Sequence, residues 1–238
     1  MESVNEKTVR DLASSNPAAA RIFEKYGIDY CCSGEKSLAQ ACGTAGVSLQ
    51  EVAEALEKPQ AQSRDRGWAN ASLTELSQHI VNKHHAFVRQ EIKRLVPLFA
   101  KVVEAHGKNH PELEQMQSSF RALADELTMH LMKEEGMLFP YVEQLEDAAN
   151  RGRRAAPPMF GTVQNPVRMM MMEHDSAGEI LRKMRQAASN YTLPEDACMN
   201  FRMLYQALQE FEMDLHQHIH LENNILFPRA IELETAKG

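Results

Sequence analysis

The sequence predicts an all-α protein, an antiparallel up-down four-helix bundle preceded by a small helical domain. Of its 238 residues, 43% are hydrophobic, only 6% are aromatic and 14 are Met. Many Ala, Leu, Met, Glu and Gln with few aromatic residues favour helices over sheets. Four long stretches with helix-start signals follow several short ones, and no stretch alternates polar and apolar residues as a strand would.

The small helical domain is predicted over residues 1–58. Capping boxes, in which a helix-starting Ser is followed three positions later by Gln or Glu, begin at Ser37 and Ser48. Glycines mark the turns between these short helices. Residues 59–71 are polar and are predicted to link this domain to the bundle, which takes in residues 72–238.

The four bundle helices are predicted from their start signals and from the connections between them. They are expected at about residues 72–105, 111–149, 165–190 and 192–233. Pro97 is expected to kink the first helix near its end. Two short connections and one long one are typical of an up-down-up-down bundle.

The charge and the apolar pattern exclude several classes of protein. A net charge of -7 argues against a nucleic-acid partner, which requires a basic face. The N-terminus lacks the apolar core of a signal peptide, and no apolar run is long enough to span a membrane. We therefore expect a cytoplasmic protein with no membrane partner, in which the four Cys are reduced thiols.

The bundle region contains an internal repeat of chemically active residues. In each half, a His is followed some 45 positions later by His-x-x-x-Glu-x-x-x-x-Phe-Pro; the two gaps are 46 and 44 residues. Two helix pairs related in this way are expected to pack with pseudo-two-fold symmetry. The repeated polar residues are His84, His130 and Glu134 in the first half, and His174, His218 and Glu222 in the second.

The repeat has the spacing of a metal site. His-x-x-x-Glu on a helix places both side chains on one face, one turn apart. Four imidazoles and two carboxylates in a bundle core suit two octahedral ions, and mixed nitrogen and oxygen ligation favours iron or manganese. Zinc sites are usually tetrahedral and often use thiolates, which this pattern lacks. An oxo or hydroxo bridge together with the two glutamates would balance most of the charge of two buried metal ions.

Residues beside this pattern have weaker assignments. His85 is expected to point away from His84, and Glu135 to face about 100° away from its neighbour Glu134. Glu126 and Glu173 are candidates for carboxylates that orient a ligand or relay protons, the alternative being solvated helix surface. The remaining histidines, including His106 and His110, match nothing in the repeat.

The N-terminal region contains a pair of adjacent cysteines, Cys31 and Cys32. Neighbouring cysteines cannot form an unstrained bridge. One interpretation is a reactive thiol pair that exchanges with another thiol or transfers iron. The other is that both are small buried apolar residues, and the residue chemistry alone does not separate the two.

The segment from Phe23 to Cys42, with its double Cys, resembles the N-terminal domain of the repair-of-iron-centres family, and the rest resembles that family's hemerythrin-like domain. Ser33 replaces the Gly that commonly follows the Cys pair in the family. The resemblance covers nearly the whole chain. It implies two iron ions per chain, bridged by carboxylates and an oxo or hydroxo group, with His84, His130, Glu134, His174, His218 and Glu222 as the ligands.

The resemblance also implies a cytoplasmic stress-response homodimer that restores iron-sulfur clusters damaged by nitric oxide or peroxide. Damaged iron-sulfur proteins or a scaffold would be its partners, and nitric oxide and oxygen its small ligands. The mechanism implied is iron donation or nitric oxide handling. Two alternatives use the same ligands: a hemerythrin-like sensor or carrier of oxygen or nitric oxide, and an enzyme that reduces nitric oxide at the two irons. Four His are fewer than oxygen-carrying hemerythrins use, which argues against simple oxygen carriage.

Overall fold

A computed structural model describes residues 6–57 and 68–235. Across these ranges the protein is helical, with one isolated bridge between Thr8 and Ser37 and no strand. The predicted all-α class is thus confirmed. Most of the predicted linker, residues 59–67, lies outside the described residues. No helix in the described part of the chain is both long and apolar enough to cross a membrane.

Four short helices form the N-terminal part: α1 (Val9–Ser15), α2 (Pro17–Tyr26), α3 (Leu38–Ala45) and α4 (Leu49–Glu57). Side-chain caps begin them. The Ser37 hydroxyl accepts from the Gln40 N–H, and the Gln40 side chain accepts from the Ser37 N–H, as the predicted capping box requires. Gly27 ends α2 in the left-handed region at φ 64°, which favours glycine. The helices close over a shared apolar core that includes Val9, Phe23, Leu38 and Val52.

The long helices are interrupted by π-helical turns. α5 (Leu73–His79) continues through a π-helical segment, Ile80–His85, into α6 (Ala86–His106). α7 (Glu112–Lys133) continues through Glu134–Leu138 into α8 (Phe139–Asn150). α9 (Gln164–Ala187) has no such turn, whereas α10 (Met199–Leu221) continues through Glu222–Leu226 into α11 (Phe227–Thr235).

The Phe-Pro pairs of the repeat account for two of these π-helical turns. A proline lacks the N–H of a normal helical bond, and its ring conflicts with the carbonyl four residues earlier. The helix widens just before each proline, and the Phe139 N–H donates to the carbonyl of Glu134, five residues back. Phe227 donates in the same way to Glu222. The Phe-Pro pairs therefore do not end the helices, and each places a ligand candidate at the start of a π-turn, a feature frequent at functional sites.

One boundary differs clearly from the sequence-based expectation. α10 begins at Met199, whereas the sequence suggested a start near Thr192. Three consecutive residues, Ser189 to Tyr191, have positive φ between 48° and 56°, so the chain turns there in a left-handed conformation before the next helix. Pro97 lies inside α6, which runs on to His106.

The described chain divides into two compact units. One comprises Gln78–Tyr141 and Pro157–Leu215, which contain α6, α7, α9 and most of α10 and form the helical bundle. Part of its core is aromatic: the Phe120 ring lies 5.4 Å from Phe99 and 5.6 Å from Phe211 between ring centroids. The predicted boundaries at 58 and 72 stay a prediction.

The other unit comprises the described residues up to Ser77, Val142–Ala156 and the chain from His216. Within it, Glu146 caps the start of α5: its carboxylate accepts from the N–H groups of Leu73 and Thr74 at 2.7 and 2.9 Å, and from the Thr74 hydroxyl at 2.6 Å. Burial acts to raise the pKa of Glu146, but these hydrogen bonds outweigh it and lower the pKa.

Candidate metal centre

His130, at the end of α7, is held by a carboxylate on its outer nitrogen. Its Nδ1 lies 2.8 Å from Oε2 of Glu173 on α9, and Glu173 also pairs with Lys133. Burial alone would raise the pKa of Glu173, but Lys133 and His130 lower it, so it is a charged acceptor. Such a carboxylate fixes the proton on Nδ1 and turns the Nε2 lone pair inward, as carboxylates behind metal-binding imidazoles do.

The inner nitrogen of His130 faces further donor atoms. Its Nε2 lies 3.0 Å from Nε2 of His174 and 3.3 Å from Oε1 of Glu134. These three residues are at most 2% exposed. Two nitrogen ligands bound at about 2.1 Å and at right angles on one ion would lie about 3.0 Å apart. The donor atoms therefore lie close enough together to bind a single metal ion.

The second oxygen of Glu134 faces a different imidazole. Oε2 lies 3.4 Å from Nε2 of His85, and the other nitrogen of that ring, Nδ1, lies 2.6 Å from Oε1 of Glu135. Arg89 also donates to Glu135 at 2.7 Å. Glu134 thus presents one oxygen to His130 and the other to His85.

The structure places His84 elsewhere than the sequence analysis expected. Its Nδ1 lies 3.0 Å from Oδ1 of Asp214, and its ring meets His79 edge-on at 5.6 Å. His85, which was expected to point away, takes the position beside Glu134. The expectation rested on aligning His84 with His174 in the repeat, and the π-helical segment Ile80–His85, which has no counterpart in α9, breaks that alignment. The sequence did hold a signal, since His85 precedes His130 by 45 positions, closer than His84 to the 44 of the second half.

The second half of the repeat shows the same helical pair. His218 Nε2 lies 3.0 Å from Glu222 Oε1, and both side chains are buried. Glu222 begins a π-turn as Glu134 does, so the two halves match in backbone as well as in sequence.

The two carboxylates that were candidates for orienting a ligand, Glu126 and Glu173, have different positions. Glu173 contacts His130, as described above. Glu126 reaches only the Ser176 hydroxyl, at 3.5 Å and on the exposed side of the bundle. Glu135 and Asp214, which orient His85 and His84, were not proposed for those roles from the sequence, because only the packing of one helix on another brings them there.

The cysteine pair lies in a turn organised by Asp29. Its Oδ1 accepts from the N–H groups of Cys31, Cys32 and Ser33 at 3.2, 2.9 and 3.3 Å. The two Sγ atoms are 3.7 Å apart. The hydrogen bond with Cys32 and the burial of the side chain raise the pKa of Cys31. Cys31 is therefore a protonated thiol at neutral pH rather than an activated nucleophile.

The turn that carries the cysteines packs on the π-turn that begins at Glu222. Asn224 donates to the carbonyl of Tyr30 at 3.1 Å, and Asn223 donates to that of Cys31 at 3.3 Å. A Cβ at Gly34 would lie 2.7 Å from Oδ1 of Asn224, so a side chain at this position would push the Asn224 amide away. The thiol pair is thus fixed to the helix segment that carries His218 and Glu222, an arrangement that the sequence did not reveal.

Buried imidazoles and carboxylates on the helices of a bundle, with π-turns at the ligand positions, define a hemerythrin-like metal protein. The hemerythrin HHE cation binding domain model matches residues 76–230, and the ScdA_N model, described as a domain of unknown function (DUF542), matches residues 5–60. The chain belongs to the family that joins these two domains, and the HHE domain implies that it binds iron.

Relatives of known name match nearly end to end. A Haemophilus influenzae protein named "Probable iron-sulfur cluster repair protein" is 35% identical over 232 residues, which cover 96% of this chain and 98% of that protein. The Escherichia coli O157:H7 protein named "Iron-sulfur cluster repair protein YtfE" is 33% identical over 226 residues, 95% of this chain and 97% of its own. A Shigella boydii protein with the same name is 32% identical with the same coverage.

Proposed function

We propose that this protein repairs iron-sulfur clusters damaged by nitrosative or oxidative stress, by donating iron from a two-iron centre. The observation that carries the proposal is the buried donor set around Glu134, which has imidazoles and carboxylates but no thiolate. Such ligands bind ferrous iron less firmly than a thiolate cage would. The names of the relatives point to the same activity.

The proposed ligands are His85, His130, Glu134, His174, His218 and Glu222, with His85 replacing His84. In the pseudo-two-fold repeat, His130 corresponds to His218 and His174 to His85. Because His130 and His174 share one ion in this assignment, the symmetry assigns His85 and His218 to the other. The same symmetry makes Glu222 a bridge like Glu134.

Each supporting residue has a defined task in iron donation. Iron held in this centre is the cargo that a damaged cluster requires. Glu173 and Glu135 keep Nε2 of His130 and His85 directed at it through the opposite ring nitrogens. The Cys31 and Cys32 thiols, 3.7 Å apart, have the spacing of two thiolates on one tetrahedral ion and are proposed to receive iron as it leaves, each releasing its proton to solvent when the metal binds.

The test is an iron-transfer assay. Iron-loaded protein and an equal amount of free ferrous iron are compared for recovery of activity by an enzyme whose iron-sulfur cluster has been damaged with nitric oxide. Greater recovery with the protein is expected, together with a slower transfer by a variant in which Cys31 and Cys32 are Ser. Recovery no better than with free iron would refute iron donation.

The remaining proposals concern the cellular location, the binding partners and the oligomeric state. We propose damaged iron-sulfur proteins as clients, nitric oxide and oxygen as small ligands, and a cytoplasmic homodimer as the working form. The described cysteines are all free thiols, which is consistent with a reducing compartment. Light scattering of the purified protein measures the mass in solution, and a monomer would contradict the homodimer.

A further inference from the structure

A second group of metal-binding side chains lies at another point of the bundle. His106 is the last residue of α6, His110 lies in the turn before α7, and Asp196 lies in the connection before α10. One ligand atom of each lies within 4.8 Å of the others. His106 follows His85 by 21 residues along one helix, about 30 Å at 1.5 Å per residue, so this group is separate from the iron ligands.

The imidazoles of this group are held in place before any ion binds. His110 directs Nε2 to Oδ1 of Asp196 at 2.9 Å, while its Nδ1 lies 3.1 Å from Oε1 of Glu112. The Phe201 ring packs against both histidines, with centroid distances of 5.2 Å to His106 and 5.3 Å to His110. At protein metal sites, one nitrogen of a ligand imidazole typically hydrogen-bonds a carboxylate while the other faces the ion. In His110, Nδ1 has such a partner in Glu112, and Nε2 faces the Asp196 carboxylate.

We propose that His106, His110 and Asp196 bind one zinc ion. Two imidazoles and one carboxylate are a ligand set that zinc uses in sites with an open fourth position, which water would fill. The group is partly exposed, so an ion can enter from solvent. Bound zinc would join the α6–α7 turn to the connection between α9 and α10, and thereby stabilise this end of the bundle.

Without metal, the same residues form an ion pair. The hydrogen bond to Asp196 raises the pKa of His110 against the opposing effect of burial, and Glu112 adds to the rise. Zinc binding would replace this hydrogen bond with bonds from both residues to the ion.

The experiment titrates iron-loaded protein with zinc and follows zinc binding, iron content and the melting temperature. Asp196→Asn and His106→Gln remove one ligand each, and Glu195→Gln is the matched control, because it removes a charge from the same exposed connection. Wild type and the control are expected to bind one zinc with unchanged iron content and to melt at a higher temperature. The two ligand variants should bind that zinc at least tenfold more weakly and show little thermal shift.

Thiols also bind zinc, so the comparison between variants is essential. Cobalt provides a second readout, since a site without thiolate shows visible bands but no sulfur charge-transfer band. Equal zinc affinity in wild type, Asp196→Asn and His106→Gln would overturn the proposal. Zinc uptake that only replaces iron, or a thiolate band in the cobalt protein that these variants leave unchanged, would also overturn it.

Discussion

The contact between Glu173 and His130 leads to a quantitative prediction about iron affinity. Glu173 accepts from Nδ1 of His130 at 2.8 Å and is itself held by Lys133. Loss of a carboxylate behind a metal-binding imidazole typically costs 10–100-fold in metal affinity, or about 1.4–2.7 kcal/mol. Glu173→Gln keeps an oxygen acceptor but loses the charge, so about tenfold is expected; Glu173→Ala loses both and should approach a hundredfold.

The assay is competition for ferrous iron by a chelator of known affinity, with iron content measured at each chelator concentration. Glu126→Gln is the matched control. Glu126 lies one helical turn before His130, but its carboxylate accepts from the Ser176 hydroxyl instead of holding the imidazole. The control should retain iron as wild type does. If both Glu173→Gln and Glu173→Ala retained iron as well as wild type does, Glu173 would have no part in holding the ligand. The assignment of His130 would then lose its main support.

Three further predictions concern the ligands, the fold and the cysteine turn. His85→Gln should lower the iron content from about two to about one per chain and His84→Gln should leave it unchanged, as measured by metal analysis; the reverse result would restore His84 as the ligand. Glu146→Gln should lower the free energy of unfolding by about 1–2 kcal/mol at neutral pH in denaturant titrations. Because the pKa of Glu146 is lower in the folded state, its stabilisation is present above the unfolded pKa of about 4.3 and is lost as the pH falls through the folded pKa, so the variant and wild type should converge in acid; a constant difference would contradict this. Asn224→Ala removes the hydrogen bonds to the carbonyls of Tyr30 and Cys31, so alkylation of Cys31 should accelerate severalfold while that of buried Cys42 does not change; equal acceleration of both thiols would indicate general unfolding instead.

Much of the fold follows from local patterns. Helix caps at Ser37 and turns at Gly27 are short-range features, because a side chain bonds to a backbone group a few residues away. The start of α10 could not be read in this way: the signal at Thr192 looks like a helix start, but the left-handed residues before it make a turn. Local sequence does not show which of two compatible conformations the surrounding chain imposes.

The proposed metal ligands likewise divide into those that local spacing predicts and one that only the structure identifies. Spacing alone brought His130 and Glu134 to one face of a helix, and the repeat gave their counterparts His218 and Glu222, because the helical period determines which side chains share a face. The period fails at a π-turn, where the helix takes in an extra residue. Aligning the repeat without allowing for that residue favoured His84, whereas the structure places His85 beside Glu134.

By itself, then, the sequence determined the class of fold and the family resemblance that the comparisons confirmed, and it predicted the residue types of the metal centre, since all of these depend on periodicity and motif. Only the tertiary structure decided which of two adjacent histidines faces the glutamate, that Glu173 rather than Glu126 holds an imidazole, and that Asn223 and Asn224 hold the cysteine turn. Each of these choices depends on contacts between helices distant in the chain. Such contacts are set by packing over the whole unit, and no short stretch of sequence specifies them.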